Sequence, residues 1–268
     1  MKKTDKIKVV ILCGGRGTRL GSETESRPKP MVEIGGRPIL WHIMKIYSSY
    51  GFNDFVLCLG YKGEGIKNYF LNYQGLNYDC ILNLKSGAIR TLEHHLLEDW
   101  NVTLIDTGQD AQTGARVKKI ERFIESDNFM LTYGDAVTNV DIGKLLEFHL
   151  RHKKIGTVTG VFPVARYQFG ELFIKKNRVD IFHEKPIKVR KNALINGGFF
   201  VFNRKFFKLL KEDDNCILEQ EPLERLAKTG QLNVYKHDGF WQCMDVARDA
   251  ELLNRLWRGK APWKIWKD

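Results

Sequence analysis

Three cations, Arg16, Arg19 and Lys29, stand close in sequence to Gly14, Gly15 and Gly17. Glycine lets backbone N–H groups approach an anion with no side chain in the way. Guanidinium and ammonium groups over the same spot add charge-assisted hydrogen bonds to phosphate oxygens. The chemistry this implies is triphosphate binding. Two familiar phosphate loops do not fit. A dinucleotide fingerprint starting at Gly15 requires glycine where Leu20 stands. A P-loop requires a Gly-Lys-Ser/Thr step that the segment lacks. The competing reading is an ordinary glycine turn at the end of a first strand.

Asp135 follows the apolar run 129–133 and Gly134. A carboxylate directly after a buried strand is well placed to hold Mg²⁺ beside phosphate oxygens. Taken alone, Asp135 reads equally as a turn former. His149 and His152 lie one helical turn apart, but no third ligand accompanies them. The adjacent His94 and His95 would point to opposite faces of a strand. Cys243 has no recognisable base nearby and reads as a small packed side chain. Trp257, Trp263 and Trp266 suit packing or a subunit contact better than base stacking.

These side chains need a scaffold, and alternating strands and helices supply one. Val9, Val10, Ile11 and Leu12 form a β-branched apolar run that requires cover on both faces, as in a parallel sheet. Pro38 suits the first position of a helix whose apolar face is Ile39, Leu40, Ile43, Met44, Ile46 and Tyr47, ending at Gly51. Further strands are expected over 54–59, 102–106 and 129–133, with helices over 66–73 and around Val117–Ile124. A hairpin is expected over 78–93, turning at Lys85-Ser86-Gly87. Asp141 is positioned to cap the helix that carries Ile142, Leu145, Leu146 and Phe148. A β-rich part covers 156–203 and helices bearing Leu223, Leu226, Leu252, Leu253 and Leu256 follow. The fold class is α/β: a doubly wound, mostly parallel Rossmann-like sheet with a small β-rich insertion in the C-terminal half. No linker or repeat divides residues 1–268, which read as a single domain. Ligands on such a sheet gather at the C-terminal strand ends.

The chain of 268 residues is 43% hydrophobic, with no apolar run approaching a membrane span. The basic N-terminus runs straight into the first strand and does not read as a signal peptide. Five widely spaced cysteines without a Cys-x-x-Cys pair read as reduced cytosolic thiols. A net charge of +11 raises nucleic-acid binding, but the charge is spread along the chain and no nucleic-acid motif accompanies it.

The segments Gly14-Gly15-Arg16-Gly17-Thr18-Arg19-Leu20 and Pro28-Lys29-Pro30-Met31 resemble the opening of the sugar-1-phosphate nucleotidylyltransferases. The likeness continues through residues 32–44, Thr107-Gly108, Thr113-Gly114-Ala115-Arg116 and Thr132-Tyr133-Gly134-Asp135. Glu184-Lys185-Pro186, Ile195-Asn196-Gly197-Gly198, Gln220-Glu221-Pro222-Leu223, Phe240-Trp241-Gln242 with Met244-Asp245, and Ala261-Pro262-Trp263 extend it. Together these blocks are similar to the glucose-1-phosphate cytidylyltransferase branch.

That resemblance implies a nucleotide-diphospho-sugar transferase fold and attack of a sugar 1-phosphate, α-D-glucose 1-phosphate, on the α-phosphorus of CTP. It implies Arg19 and Lys29 on the phosphates, and Mg²⁺ held by Asp135 and Asp245. Leu12, Gly14, Gly15, Gly17 and Thr18, with Thr107, Gly108 and Arg116, would form the nucleotide pocket. Lys185 would meet the sugar phosphate, Glu184 and Asn196 the sugar hydroxyls, and Tyr133, Gly134 and Gly197 would complete the acceptor side. A cytoplasmic homo-oligomer, often a hexamer, making CDP-glucose for surface polysaccharides follows from the same resemblance, with neither nucleic acid nor membrane as partner. The chain departs from the family pattern at Ala136, Cys243 and Val246, where glycine, proline and threonine are usual. Segments 163–170 and 187–194 are also longer than their counterparts. These departures leave two alternatives open: a cytidylyltransferase for another phosphorylated acceptor, and a non-catalytic nucleotide-sensing subunit.

Overall fold

The computed structural model describes residues 7–21, 23–92, 97–162, 171–175, 177–183 and 194–267. It opens on β1 (Val9–Leu12), buried at every residue as the apolar run requires. A short helix α1 (Glu23–Ser26) and a ribbon of β2 (Glu33–Ile34) and β3 (Arg37–Pro38) lead to α2 (Ile39–Ser48). Pro38 stands just before α2 in an extended conformation, one residue earlier than expected, and so ends the ribbon rather than starting the helix. Next come β4 (Asp54–Leu59), α3 (Gly63–Leu71) and α4 (Tyr73–Asn77), the last two replacing the single helix expected over 66–73. The expected hairpin is β5 (Cys80–Leu82) and β6 (Ile89–Thr91), paired antiparallel.

β7 (Asn101–Asp106) leads to α5 (Thr113–Lys119), which tightens into a 3₁₀ turn over Glu121–Phe123 instead of continuing. β8 (Asn128–Tyr133), β9 (Ala136–Thr138) and α6 (Ile142–His152) follow. Asp141 caps α6, its carboxylate accepting from Lys144 N at 2.8 Å. The C-terminal half supplies β10 (Gly156–Val161), β11 (Glu171–Lys175), β12 (Arg178–His183) and β13 (Leu194–Asn203). It ends with α7 (Glu221–Lys228), β14 (Leu232–His237), β15 (Trp241–Cys243) and α8 (Ala247–Arg258).

β7, β4, β1 and β8 lie side by side, all parallel. β13 joins β8 antiparallel, β10 joins β13 antiparallel, and β14 lies parallel to β10. The hairpin β11–β12 pairs with the ends of β13 and β14, so that all strands of the large sheet except β12 and β13 share one direction. This is the mostly parallel sheet with an added β-rich region that the alternating pattern implies.

Strand alternation divides the core into two layers. Val9, Ile11, Phe55, Leu57 and Met130 face α2, α8 and Trp263. Val10, Val56, Leu131, Phe200 and Phe202 face α5, α7 and the Phe206–Phe207 pair. Each such fully buried side chain contributes about 1.5–3 kcal/mol relative to exposure. The three C-terminal tryptophans pack around buried His42, their ring centroids 4.7, 6.0 and 6.1 Å from its ring. His149 and His152 both turn their rings to Thr157 Oγ1, at 2.9 and 2.7 Å, and burial lowers both to about 4. They are neutral packing residues. His94 and His95 lie outside the described residues.

Candidate active site

Two turns and one small ribbon bring distant charges together. At the end of β8, Gly134 lets the chain pass where a Cβ would lie 2.9 Å from Leu12 O and 3.0 Å from Pro30 Cγ. Asp135 then leads into β9, which pairs antiparallel with β15 so that Ala136 faces Cys243 across the ribbon. Met244 N donates to Asp135 O at 2.8 Å, so the ribbon delivers Asp245 beside Asp135. The start of α8 fixes Asp245 from behind: Asp249 Oδ2 accepts from Asp245 N at 2.8 Å and from Val246 N at 3.0 Å. A 3₁₀ turn over Lys29–Met31, entered from Pro28, presents Lys29 to both carboxylates. Lys29 Nζ lies 2.6 Å from Asp135 Oδ2 and 2.7 Å from Asp245 Oδ1. Arg19 reaches the other oxygen of Asp245 at 3.0 Å.

This arrangement sets the protonation of its members. Burial alone would pull the Lys29 ammonium down, but Asp135, Cys243 and Asp245 outweigh it and hold Lys29 above its ordinary value. Burial pushes Asp245 up, and Lys29 with Arg19 reverses this, leaving it below the usual carboxylate range. Lys29 is therefore a fixed cation and Asp245 a fixed anion at neutral pH.

A cleft opens beside the cluster at the C-terminal ends of β1 and β8, with Leu12, Gly14 and Gly15 on one side and Gln112 and Thr113 on the other. Gly15 is exposed and a Cβ there would meet nothing within 4 Å, so its backbone faces open space. Gly17 adopts φ 63°, a left-handed conformation in which other residues are strained. Thr18 and Arg19 stand exposed on the 3₁₀ turn that follows. Arg16 bridges to Asp110 at 2.7 Å, joining the glycine loop to the loop after β7.

Arg116 also lines the cleft, but its guanidinium is spent on the protein itself. It donates to Leu59 O at 2.9 Å, Thr107 Oγ1 at 2.8 Å, Gly108 O at 2.7 Å, Gln109 O at 3.2 Å and Gly14 O at 3.1 Å. Thr107 is buried and donates to Leu59 O at 2.6 Å. Arg116, Thr107 and Gly108 thus form one clasp behind the glycine loop.

On the far side, the Tyr133 hydroxyl donates to Glu219 Oε1, and Thr113 Oγ1 donates to Glu219 Oε2 at 2.6 Å. Asn196 is buried, donates to the Tyr133 oxygen at 3.4 Å and accepts from Gly198 N at 2.9 Å. Gly197 O accepts from Trp241 Nε1 at 2.7 Å. Glu184 and Lys185 lie outside the described residues. The sequence pattern does not mark Gln112, Thr113 or Glu219 as site residues. The available signal for Glu219 was a carboxylate directly after the apolar pair Ile217-Leu218.

Residues 8–257 match the family model described as nucleotidyl transferase. The chain belongs to the nucleotidyl transferase family. Among curated relatives of this nucleotidyl transferase is the glucose-1-phosphate cytidylyltransferase of Salmonella typhimurium (strain LT2), 48% identical over 263 residues and covering 97% of this chain and 100% of that protein. A protein of the same name from Salmonella typhi is also 48% identical, with the same coverage. The crystal structure of HddC from Yersinia pseudotuberculosis superposes with a TM-score of 0.74 over 94% of this chain and 99% of that one, at 24% identity, a likeness of fold. No helix among the described residues of the nucleotidyl transferase is long and apolar enough to cross a membrane.

The donor set of this nucleotidyl transferase fits a divalent cation. Two partly exposed carboxylates converge on a single point, and Lys29 already places a positive charge there. Oxygen donors of this kind suit a hard divalent ion that keeps several waters or phosphate oxygens.

Proposed function

We propose that this enzyme transfers CMP from CTP to α-D-glucose 1-phosphate, giving CDP-glucose and pyrophosphate. The observation that carries the chemistry is the convergence of Lys29, Asp135 and Asp245 at the mouth of the cleft beside the open backbone of Gly15. The choice of nucleotide and acceptor is supported by the relatives at 48% identity over their full length.

The acceptor phosphate is already an anion near neutral pH, so the protein needs no general base. Its task is to hold two polyanions in line and to offset charge as the new bond forms. The N–H groups of Gly14, Gly15 and Gly17 and the Arg19 guanidinium take the triphosphate. Lys29, kept protonated by its carboxylate neighbours, turns its ammonium to the α-phosphate. Asp135 and Asp245 would hold Mg²⁺, whose chemistry is to neutralise phosphate charge at the reacting centre. Leu12, Thr18, Thr107, Gly108 and Arg116 shape the nucleotide side. Tyr133, Gly134, Asn196 and Gly197, with Glu184 and Lys185, serve the sugar phosphate.

The same reading places one catalytic domain over residues 1–268, in the cytoplasm, as a homo-oligomer such as a hexamer, without nucleic acid or membrane as partner. Self-association is supported by protruding apolar side chains in the β5–β6 turn and on α3 and α4: Leu84 is 87% exposed, Leu71 74% and Leu76 63%. The test is pyrophosphate release with Mg²⁺ and CTP against a panel of sugar 1-phosphates and phosphorylated non-sugars. Turnover with glucose 1-phosphate is expected. Turnover confined to another acceptor would move the substrate and keep the chemistry, and silence across the panel with CTP bound would leave a nucleotide sensor.

A further inference from the structure

Cys243 ends β15 directly before Met244 and Asp245, and its neighbour across the ribbon is Ala136, beside Asp135. Its Sγ and one oxygen each of Asp135 and Asp245 all lie within 4.8 Å of one another. Cys243 is 7% exposed, and its thiol has no hydrogen-bond partner among the described residues. A buried sulfur therefore faces the point where the carboxylates converge. Lys29, bridging both carboxylates, marks that point as one that holds positive charge.

Mg²⁺ takes oxygen ligands and gains little from a sulfur. Zn²⁺, Co²⁺ and Cd²⁺ accept thiolate readily, and mixed sulfur–oxygen donor sets favour them over hard ions. We propose that Cys243 makes this centre a mixed carboxylate–thiolate site that takes thiophilic divalent cations through sulfur, while Mg²⁺ uses the carboxylates alone. On binding, the metal–sulfur bond forms as the S–H bond breaks, and the proton leaves to solvent with no change of oxidation state. The cation replaces the Lys29 ammonium between the carboxylates. The inference rests on the reading of Asp135 and Asp245 as metal ligands, and the experiment separates the two.

The protein is titrated with Co²⁺ in a Cys80→Ser background, because Cys80 is the exposed cysteine. Cobalt bound to sulfur shows a strong near-ultraviolet charge-transfer band that oxygen-bound cobalt lacks. The band is expected in this protein and is expected to vanish in Cys243→Ser. The Zn²⁺ dissociation constant should rise by roughly tenfold or more in that variant, while Mg²⁺ affinity should move far less. Zinc X-ray absorption of the Cys80→Ser protein needs no change at Cys243 and should show a single sulfur neighbour. Cobalt binding that Asp245→Asn abolishes, without any sulfur band, would overturn the role of Cys243 and keep the carboxylate site. A band that survives Cys243→Ser would assign the sulfur elsewhere and overturn it equally. Absence of all cobalt binding would overturn both readings.

Discussion

The guanidinium of Arg116 fills the space that a side chain at Gly14 would need: a Cβ at Gly14 would lie 2.2 Å from Arg116 Cζ. Gly60 is constrained by the same group, its Cβ position falling 2.4 Å from Arg116 Nη1. Glycine at position 14 is thus required by packing behind the loop, whereas Gly15 leaves space in front of it. The open-facing and scaffold-facing glycines of one short motif have different physical reasons.

Arg116→Met should therefore cost stability. It removes five hydrogen bonds at once, each contributing about 0.5–1.5 kcal/mol net. We expect a loss of at least about 3 kcal/mol in urea unfolding, and Gly14→Ala should also destabilise through the clash. Gly15→Ala should stay within about 0.5 kcal/mol of the parent yet weaken CTP binding. Equal destabilisation by the two glycine substitutions would refute the distinction.

Lys29→Ala is expected to lower kcat by roughly 10²–10³-fold, the scale for removing one preorganised donor at a reacting centre. CTP affinity should change far less, because the loop amides and Arg19 remain. Steady-state kinetics alongside direct CTP titration reads the split. A raised KM at unchanged kcat would take Lys29 out of the transition state.

Asp135→Asn and Asp245→Asn should each abolish Mg²⁺-dependent turnover. In the Asp245 variant Arg19 and Lys29 also lose an anionic partner, so Mg²⁺ affinity by calorimetry is measured beside the rate. Full activity in either variant would contradict the paired-carboxylate site.

His42 predicts an acid-sensitive step in stability. Its Nε2 lies 2.8 Å from Ile34 O and Trp263 Nε1 donates to its Nδ1 at 3.3 Å, an arrangement that holds the ring neutral. Burial lowers its pKa to about 4 from an ordinary 6.5. The unfolded chain therefore binds the proton first, so stability is fully present above 6.5 and falls as the pH drops toward 4. From pH 7 to 5 this residue should cost about 2 kcal/mol. His42→Gln should flatten the urea-unfolding profile over that window, while His149 and His152 keep part of the slope. An unchanged profile would show that the ring is not buried neutral.

The strands were readable because the apolar run at 9–12 and the Gly134-Asp135 step are local signals, and the Asp141 cap likewise lies within one turn of its target. The partnership of Asp135 with Asp245 was not local. It depends on the β9–β15 ribbon, short strands whose pairing has no sequence signature of its own, and it reached the reading only through family resemblance. Arg116 shows the opposite gap: the family resemblance puts it in the nucleotide pocket, but its donors meet carbonyls at the end of β4 and in the loops after β1 and β7. Glu219 was hidden because a carboxylate held by two hydroxyls looks, in sequence, like any helix-flanking acid.

The most direct test follows the phosphorus atoms. Glucose 1-phosphate carrying ¹⁸O in its non-bridging phosphate oxygens is turned over with CTP and Mg²⁺, and the products are weighed by mass spectrometry. Attack of the sugar phosphate on the α-phosphorus predicts CDP-glucose that retains all the label and pyrophosphate that carries none. Label in pyrophosphate, or pyrophosphate released at the same rate without the sugar phosphate, would contradict CMP transfer to this acceptor.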